Sequence, residues 1–255
     1  MELEVPFNES GVDPYGLSRA HLAQSMTLLK LAYRHYFKVE VHGIENVPAR
    51  GRAMIVGNHS GGFALDAGCV IASTFFEMNP PRLAQGMAEK FIAKFPIAAM
   101  WATRAGQLTG LPENAARLLE DDRLLMVFPE GARGTAKLFK ERYSLVNFGT
   151  GFMRLALRTR SPIVPMAFLG GGEAVPTVFN AVSLGKLLGV PYIPVTPWLV
   201  AIPLPVQLDV YYGEPIQFEG DGSEEDDVVN GYVEQVKERI AAMLEVGRRR
   251  RKGEA

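Results

Sequence analysis

The sequence predicts an α/β fold, a single domain on a largely parallel central sheet flanked by helices. Three observations lead there. From residue 39 onward short β-like runs alternate with helical stretches, which implies crossover connections between parallel strands. Leu124 to Phe128 is an uninterrupted apolar run of the kind found in strands buried on both faces. The chain has 255 residues, 47% of them apolar and 22% charged, enough for one sizeable core. No repeat, low-complexity segment or interdomain linker divides it.

The elements follow in order. Residues 1–17 are polar, with Pro6, Gly11 and Pro14, and read as an irregular arm. Residues 18–38 read as an amphipathic helix. Leu22, Met26, Leu29, Tyr33 and Tyr36 recur at steps of four and three, while Lys30, Arg34, His35 and Lys38 lie off that stripe. Such a helix packs on the domain or lies on anionic lipid, and both remain open. The α/β core then spans 39–220. Strands are expected at Val39–Val41, Ala53–Val56, Leu124–Phe128, Ile163–Phe168 and Val206–Tyr211. Helices are expected at Phe63–Phe76, Glu113–Glu120 and Phe148–Arg158. At the end, Ser223 before Glu224, Glu225, Asp226 and Asp227 reads as a helix start. Val229, Val233, Val236, Ile240 and Met243 give the helix over 223–246 its apolar stripe. Residues 247–255, with five basic residues from Arg248 to Lys252, read as a solvated basic tail.

Composition excludes several functions. Twenty-seven Lys and Arg against 28 Asp and Glu leave a net charge of −1, which argues against general nucleic-acid binding. Cys69 is the single cysteine and fits a reducing compartment. Met1-Glu2-Leu3-Glu4 lacks the basic-then-apolar layout of a secretion signal, so the chain is expected on the cytosolic side. The longest uncharged stretch, Leu187 to Leu208, holds Pro191, Pro194, Pro197, Pro203 and Pro205. Those prolines rule out a spanning helix and favour a buried or interfacial loop. Phe91, Phe95, Ile97, Met100 and Trp101 are expected in the core, or else along an acyl groove or a bilayer. Four scattered histidines show no metal-ligand spacing, so no metal is expected.

In open α/β sheets ligands bind beyond the carboxyl ends of the strands. Ala53-Met54-Ile55-Val56-Gly57 runs into Asn58-His59-Ser60-Gly61-Gly62, with Asp66 on the helix that follows. An imidazole there can take a proton from a hydroxyl near neutral pH, and a carboxylate on its far nitrogen fixes the tautomer. Gly61 and Gly62 let backbone N–H groups approach a ligand closely. The second candidate strand ends in Phe128-Pro129-Glu130-Gly131-Ala132-Arg133, with Lys137 beyond. A carboxylate suits an acceptor's hydroxyl groups, and Arg133 and Lys137 suit phosphate.

Together Asn58-His59, Asp66 and Phe128-Pro129-Glu130-Gly131 resemble the motifs of the glycerolipid (lysophosphatidate-type) acyltransferase family. Pro162-Ile163-Val164-Pro165 is similar to its last motif, and the resemblance runs from about Val39 to Glu214. It implies transfer of an acyl group from acyl-CoA or acyl-carrier protein to a hydroxyl of a lysophospholipid or related glycerolipid. It also implies a peripheral position at the inner face of a membrane, with no cofactor or metal. By the same resemblance His59 is the general base, Asp66 orients it, and Asn58, Gly61, Gly62, Glu130, Gly131, Arg133 and Lys137 hold substrate. Six residues, Ser60 to Leu65, separate the histidine from the aspartate, a longer interval than the family usually has. Pro112 stands where members carry a phosphate-binding arginine, which leaves a differently headed acceptor open. Two other readings stand beside this one. The first is a serine hydrolase using Ser60, against which Asn58 breaks the Gly-x-Ser-x-Gly pattern. The second is a catalytically silent lipid-binding relative.

Overall fold

The structure, a computed structural model, describes residues 3, 5–60, 64–88, 94–109, 112–199 and 202–254. Helix α1 (Arg19–Leu31) ends in a wider turn over Ala32–Tyr36 and leads to strand β1 (Glu40–His42). Then come β2 (Ala53–Gly57), α2 (Leu65–Phe76), β3 (Ala84–Ala88), α3 (Pro96–Arg104), β4 (Leu108–Thr109), α4 (Pro112–Glu120) and β5 (Leu124–Val127). The second half holds α5 (Ala132–Thr135), α6 (Gly151–Thr159), β6 (Ile163–Leu169), α7 (Gly171–Ala174), β7 (Phe179–Ala181), α8 (Val182–Leu187) and β8 (Ile193–Val195). It closes with β9 (Asp209–Tyr212) and α9 (Asp226–Arg251).

Seven of these strands form the central sheet, in the order β1-β9-β6-β2-β5-β3-β4. All neighbours are parallel except β6 and β9. Strand β2 sits at the centre, its five residues buried between β5 and β6. Side chains alternate across it. Met54 and Val56 join Met153, Leu157, Val233 and Ile240 from α6 and α9 on one face, while Ala53 and Ile55 join Cys69 and Val70 from α2 on the other. The expected fold class is therefore present, with helices on both faces.

Several boundaries differ from expectation. The stripe residues Leu22 and Met26 of α1 and Tyr33 of the wider turn are buried, so this segment packs on the domain. Helix α9 runs on through the expected basic tail. Glu245 pairs with Arg248 and Arg249 at 3.1 and 3.3 Å, Arg251 reaches Asp209 at 2.6 Å, and Arg250 reaches Glu40 at 3.3 Å. Basic residues also suit the negative end of a helix. Leu244, not Met243, is the deeply buried member of the stripe. Ser223 does not cap this helix, because its hydroxyl donates to Asp221 at 2.6 Å, and Arg154 holds Gly222, Glu224 and Asp226 at the helix entrance.

The prolines of Leu187–Leu208 do not line a buried loop. The stretch instead closes the β7–β8 hairpin and leaves Leu187, Leu188, Trp198 and Leu199 exposed. Phe95, Ile97, Met100 and Trp101 are also exposed, by 41 to 80%, which overturns their expected place in the core; Phe91 lies outside the described residues. Among the described residues no helix is long and apolar enough to cross a membrane.

Candidate active site

The parallel register of β2 and β5 opposes Val56 to Val127, so continuing each chain by three residues brings His59 level with Glu130. The two are in direct contact. The His59 backbone N–H donates to Glu130 Oε1 at 2.8 Å. Asn58, one residue earlier, locks the adjacent edge. Its amide donates to the Phe168 carbonyl at 3.0 Å and accepts from the Phe168 N–H at 2.7 Å, tying the end of β2 to β6.

The imidazole of His59 is 10% exposed and stacks on Phe128 with ring centroids 4.5 Å apart. Its Nδ1 lies 2.5 Å from Asp66 Oδ2. Asp66 is fully buried in the first turn of α2, where the helix N-terminus favours negative charge. It also accepts the Ser60 N–H at 2.9 Å and the Ala67 N–H at 2.8 Å. The long interval between His59 and Asp66 therefore does not separate them. It is closed at Ala64, which takes the left-handed conformation with φ 51°, a strained choice for alanine. Gly61 and Gly62, expected to aim backbone N–H groups at a ligand, lie outside the described residues.

Glu130 departs from its expected substrate contact. The side chain is buried, and both oxygens have internal partners: Oε1 takes the His59 N–H and Lys137, while Oε2 takes Lys137 at 2.9 Å and the Val146 N–H at 2.9 Å. Lys137 in turn gives a third bond to the Ser144 carbonyl at 2.9 Å, so its ammonium faces the protein interior. Two buried charges need such complete pairing to avoid a large desolvation cost. Asn58 and Lys137 are thus structural partners in this geometry, where the sequence placed them on substrate. Gly131 is required by its backbone: φ 56° with ψ −150° is a region essentially reserved for glycine. Arg133 is exposed on α5 and donates to the Asn147 carbonyl at 3.1 Å.

Sequence reasoning missed four residues of this region. Gly134 leaves room for the histidine, since a Cβ there would sit 2.6 Å from His59 Cβ and 2.8 Å from Glu130 Cβ. Ser144 and Val146 act only through backbone groups, which leave no mark on side-chain patterns. Arg142, on the same loop, lies over the Phe139 ring at 4.0 Å and pairs with Glu173 at 2.9 Å. No histidine other than His59 is bonded near Ser60, whose hydroxyl is 3.5 Å from the Arg142 carbonyl; His21 bonds Ser18 and Arg104, and His42 bonds Arg250. Burial, with the Asp66 charge behind it, pushes the Cys69 thiol well up, which removes it as a nucleophile. Among the described residues Glu40, His42 and Asp209 come close enough to share an ion, but Arg250 and Arg251 already pair with the two carboxylates.

Comparison with known proteins identifies the family and the fold. Residues 38–169 match the family described as Acyltransferase, and the chain belongs to that family. An uncharacterized protein of Mycobacterium tuberculosis is 35% identical over 216 residues, covering 82% of this chain and 59% of that one. A Bos taurus protein named DGAT1/2-independent enzyme synthesizing storage lipids is 26% identical over 208 residues, covering 81% of this chain and 59% of its own. The chain thus spans about three fifths of the length of these curated relatives. The crystal structure of the 1-acyl-sn-glycerophosphate (LPA) acyltransferase PlsC from Thermotoga maritima superposes with a TM-score of 0.60 at 18% identity, over 89% of this chain and 79% of that one, and shares its fold.

Proposed function

We propose that this chain moves an acyl group from a thioester, acyl-CoA or acyl-carrier protein, to a hydroxyl of a lysophospholipid or related glycerolipid. The observation that carries the reading is the 2.5 Å contact between His59 Nδ1 and the buried Asp66 carboxylate. With Nδ1–H donated to Asp66, Nε2 is the proton-accepting position of the ring. The acceptor hydroxyl gives its proton to Nε2 as its oxygen bonds to the thioester carbonyl carbon. Collapse of the tetrahedral intermediate breaks the C–S bond, and the departing sulfur takes that proton back from Nε2. Asp66 stabilises the imidazolium in between. Glu130 and Lys137 serve as positioning residues that hold the His59 backbone, and Arg133 is the cation offered to an anionic head group. The reaction is expected at the inner face of a membrane, with the protein bound peripherally.

An acceptor screen tests this. Purified protein is incubated with a radiolabelled acyl thioester and a panel of lysolipids, and products are read by mass. Label in at least one lysolipid is expected; none with any acceptor favours the silent lipid-binding reading. Ser60→Ala should keep most of the transfer, since among the described residues its hydroxyl makes only the long contact to Arg142, and its inactivation would point to a serine hydrolase. Gly134→Ala should lower turnover at least about tenfold, because the new methyl must displace the base by more than van der Waals contact allows, and small misplacements are costly. Unchanged turnover in that variant would show that the His59 position is not critical.

A further inference from the structure

We infer that the β7–α8–β8 hairpin, with the exposed face of α3 beside it, is a docking surface for an anionic phospholipid bilayer. The inference rests on the acyltransferase reading and names where that enzyme meets its membrane. From Val175 to Leu208 the sequence carries one charged residue, Lys186, and no acid. Such a segment would ordinarily be core, yet Phe179, Leu187, Leu188, Trp198, Leu199 and Ile202 are 41 to 81% exposed. Helix α8 cannot turn its leucines inward. Its buried position is Gly185, where a Cβ would sit 2.5 Å from the Tyr192 backbone, so the helix lies flat on the chain and its bulky side chains point out. Soluble proteins rarely leave an apolar patch of this kind uncovered.

Neighbouring elements extend the surface. The Phe95 ring at the start of α3 reaches within 3.8 Å of where a Cβ on Gly189 would sit, and Ile97, Met100 and Trp101 continue outward along one face of that helix. On the other side Tyr36 donates to the Pro203 carbonyl at 2.7 Å, which joins the end of α1 to the hairpin's return segment. The charges on these elements have one sign where they are exposed and unpaired with acids: Lys186 on α8, Lys94 before α3 and Lys38 after α1.

Three features select a bilayer as the occupant. An apolar face rimmed by lysine and, among its described residues, free of acid complements an anionic lipid surface. Trp101 and Trp198, the chain's two tryptophans, are both exposed here, and tryptophan favours the membrane–water boundary. The hairpin is also stitched to the loop that carries the candidate site. The Phe139 N–H donates to the Thr177 carbonyl at 2.8 Å, and Asn180 donates to the Ala136 carbonyl at 2.6 Å, beside Lys137. A bilayer seated on the hairpin therefore adjoins the segment that holds Glu130 and His59, where an acceptor leaving the lipid is needed.

The test uses the full chain and vesicles of phosphatidylcholine containing about a quarter phosphatidylglycerol. Wild-type protein should float with the vesicles, and its tryptophan emission should shift to the blue and be quenched by lipids brominated near the head of the acyl chain. The double variant Leu187→Asp, Leu188→Asp should partition at least about tenfold less while keeping the wild-type Tm, since both side chains are already in water. Quenching in the wild type needs no variant, so a misfolded double variant leaves the test intact. Absence of quenching, or flotation of a folded double variant at the wild-type level, overturns the assignment. So does a dimer in light scattering that the double variant dissociates, which would give the face to a second copy. His59→Ala should bind vesicles as wild type does. A chain that binds vesicles but transfers nothing refutes the enzymatic reading alone, and one that transfers to micellar acceptor without binding vesicles refutes the docking surface alone.

Discussion

His59→Ala is expected to lower acyl transfer by about 10²–10⁴-fold, the usual contribution of a positioned general base, with little change in Tm. The imidazole bonds the Asp66 carboxylate and stacks on the Phe128 ring, and His59 itself lies beyond the end of β2, so its truncation leaves the sheet pairing in place. Asp66→Asn is the companion measurement. The asparagine can still occupy the space and accept the Ser60 N–H, but it no longer stabilises an imidazolium. A His59→Ala enzyme retaining more than roughly a tenth of wild-type turnover would remove His59 from the chemistry.

Lys137→Met is expected to destabilise the fold by about 3–5 kcal/mol, the cost of stranding the buried Glu130 carboxylate without its counter-ion. The Lys137 and Glu130 side chains are 3% and 0% exposed, so water cannot take the ammonium's place without opening the loop. Adding Glu130→Gln should recover much of that loss, because the amide oxygen still accepts the His59 N–H and no charge remains buried. Urea unfolding of both singles and the double variant measures the coupling. Additive losses would show that the two residues do not act as a pair. A positioning role further requires that the double variant, once folded, lose turnover with KM for the acceptor nearly unchanged, whereas a direct contact with acceptor would raise KM.

Much of the fold was legible because its central strands are continuous apolar runs. Ala53–Gly57, Leu124–Val127 and Ile163–Leu169 lie where expected, and the helix after Pro112 begins at that proline, as prolines favour. Strand β3 was not legible: Ala84-Gln85-Gly86-Met87-Ala88 contains no β-branched or aromatic residue, and pairing with β5 and β4 makes it a strand. The reversal of β9 was hidden too, since direction within a sheet is settled by contacts far along the chain. At the site, His59 and Asp66 could be named from residue type and placement. The role of Glu130 could not, because its partners are two backbone N–H groups and a lysine brought round by a turn at Gly131. Phe95, Ile97, Met100 and Trp101 read as core, and Leu187–Leu208 as a buried or interfacial loop, for a related reason: composition reports how greasy a segment is, but not which way a short helix such as α8, with a glycine underside, will lie.

Among the described residues strand β1 pairs only with β9, with Glu40 opposite Asp209. Synthesis delivers the first of these long before the second. While the ribosome is still making the middle of the protein, Glu40–His42 has nothing to hydrogen-bond with, and the nascent sheet carries a raw margin along β6. Closure awaits Asp209–Tyr212, far along the chain from Glu40–His42, and long-range pairing of this kind slows folding. Chaperone demand during synthesis should therefore fall sharply once residue 212 clears the exit tunnel.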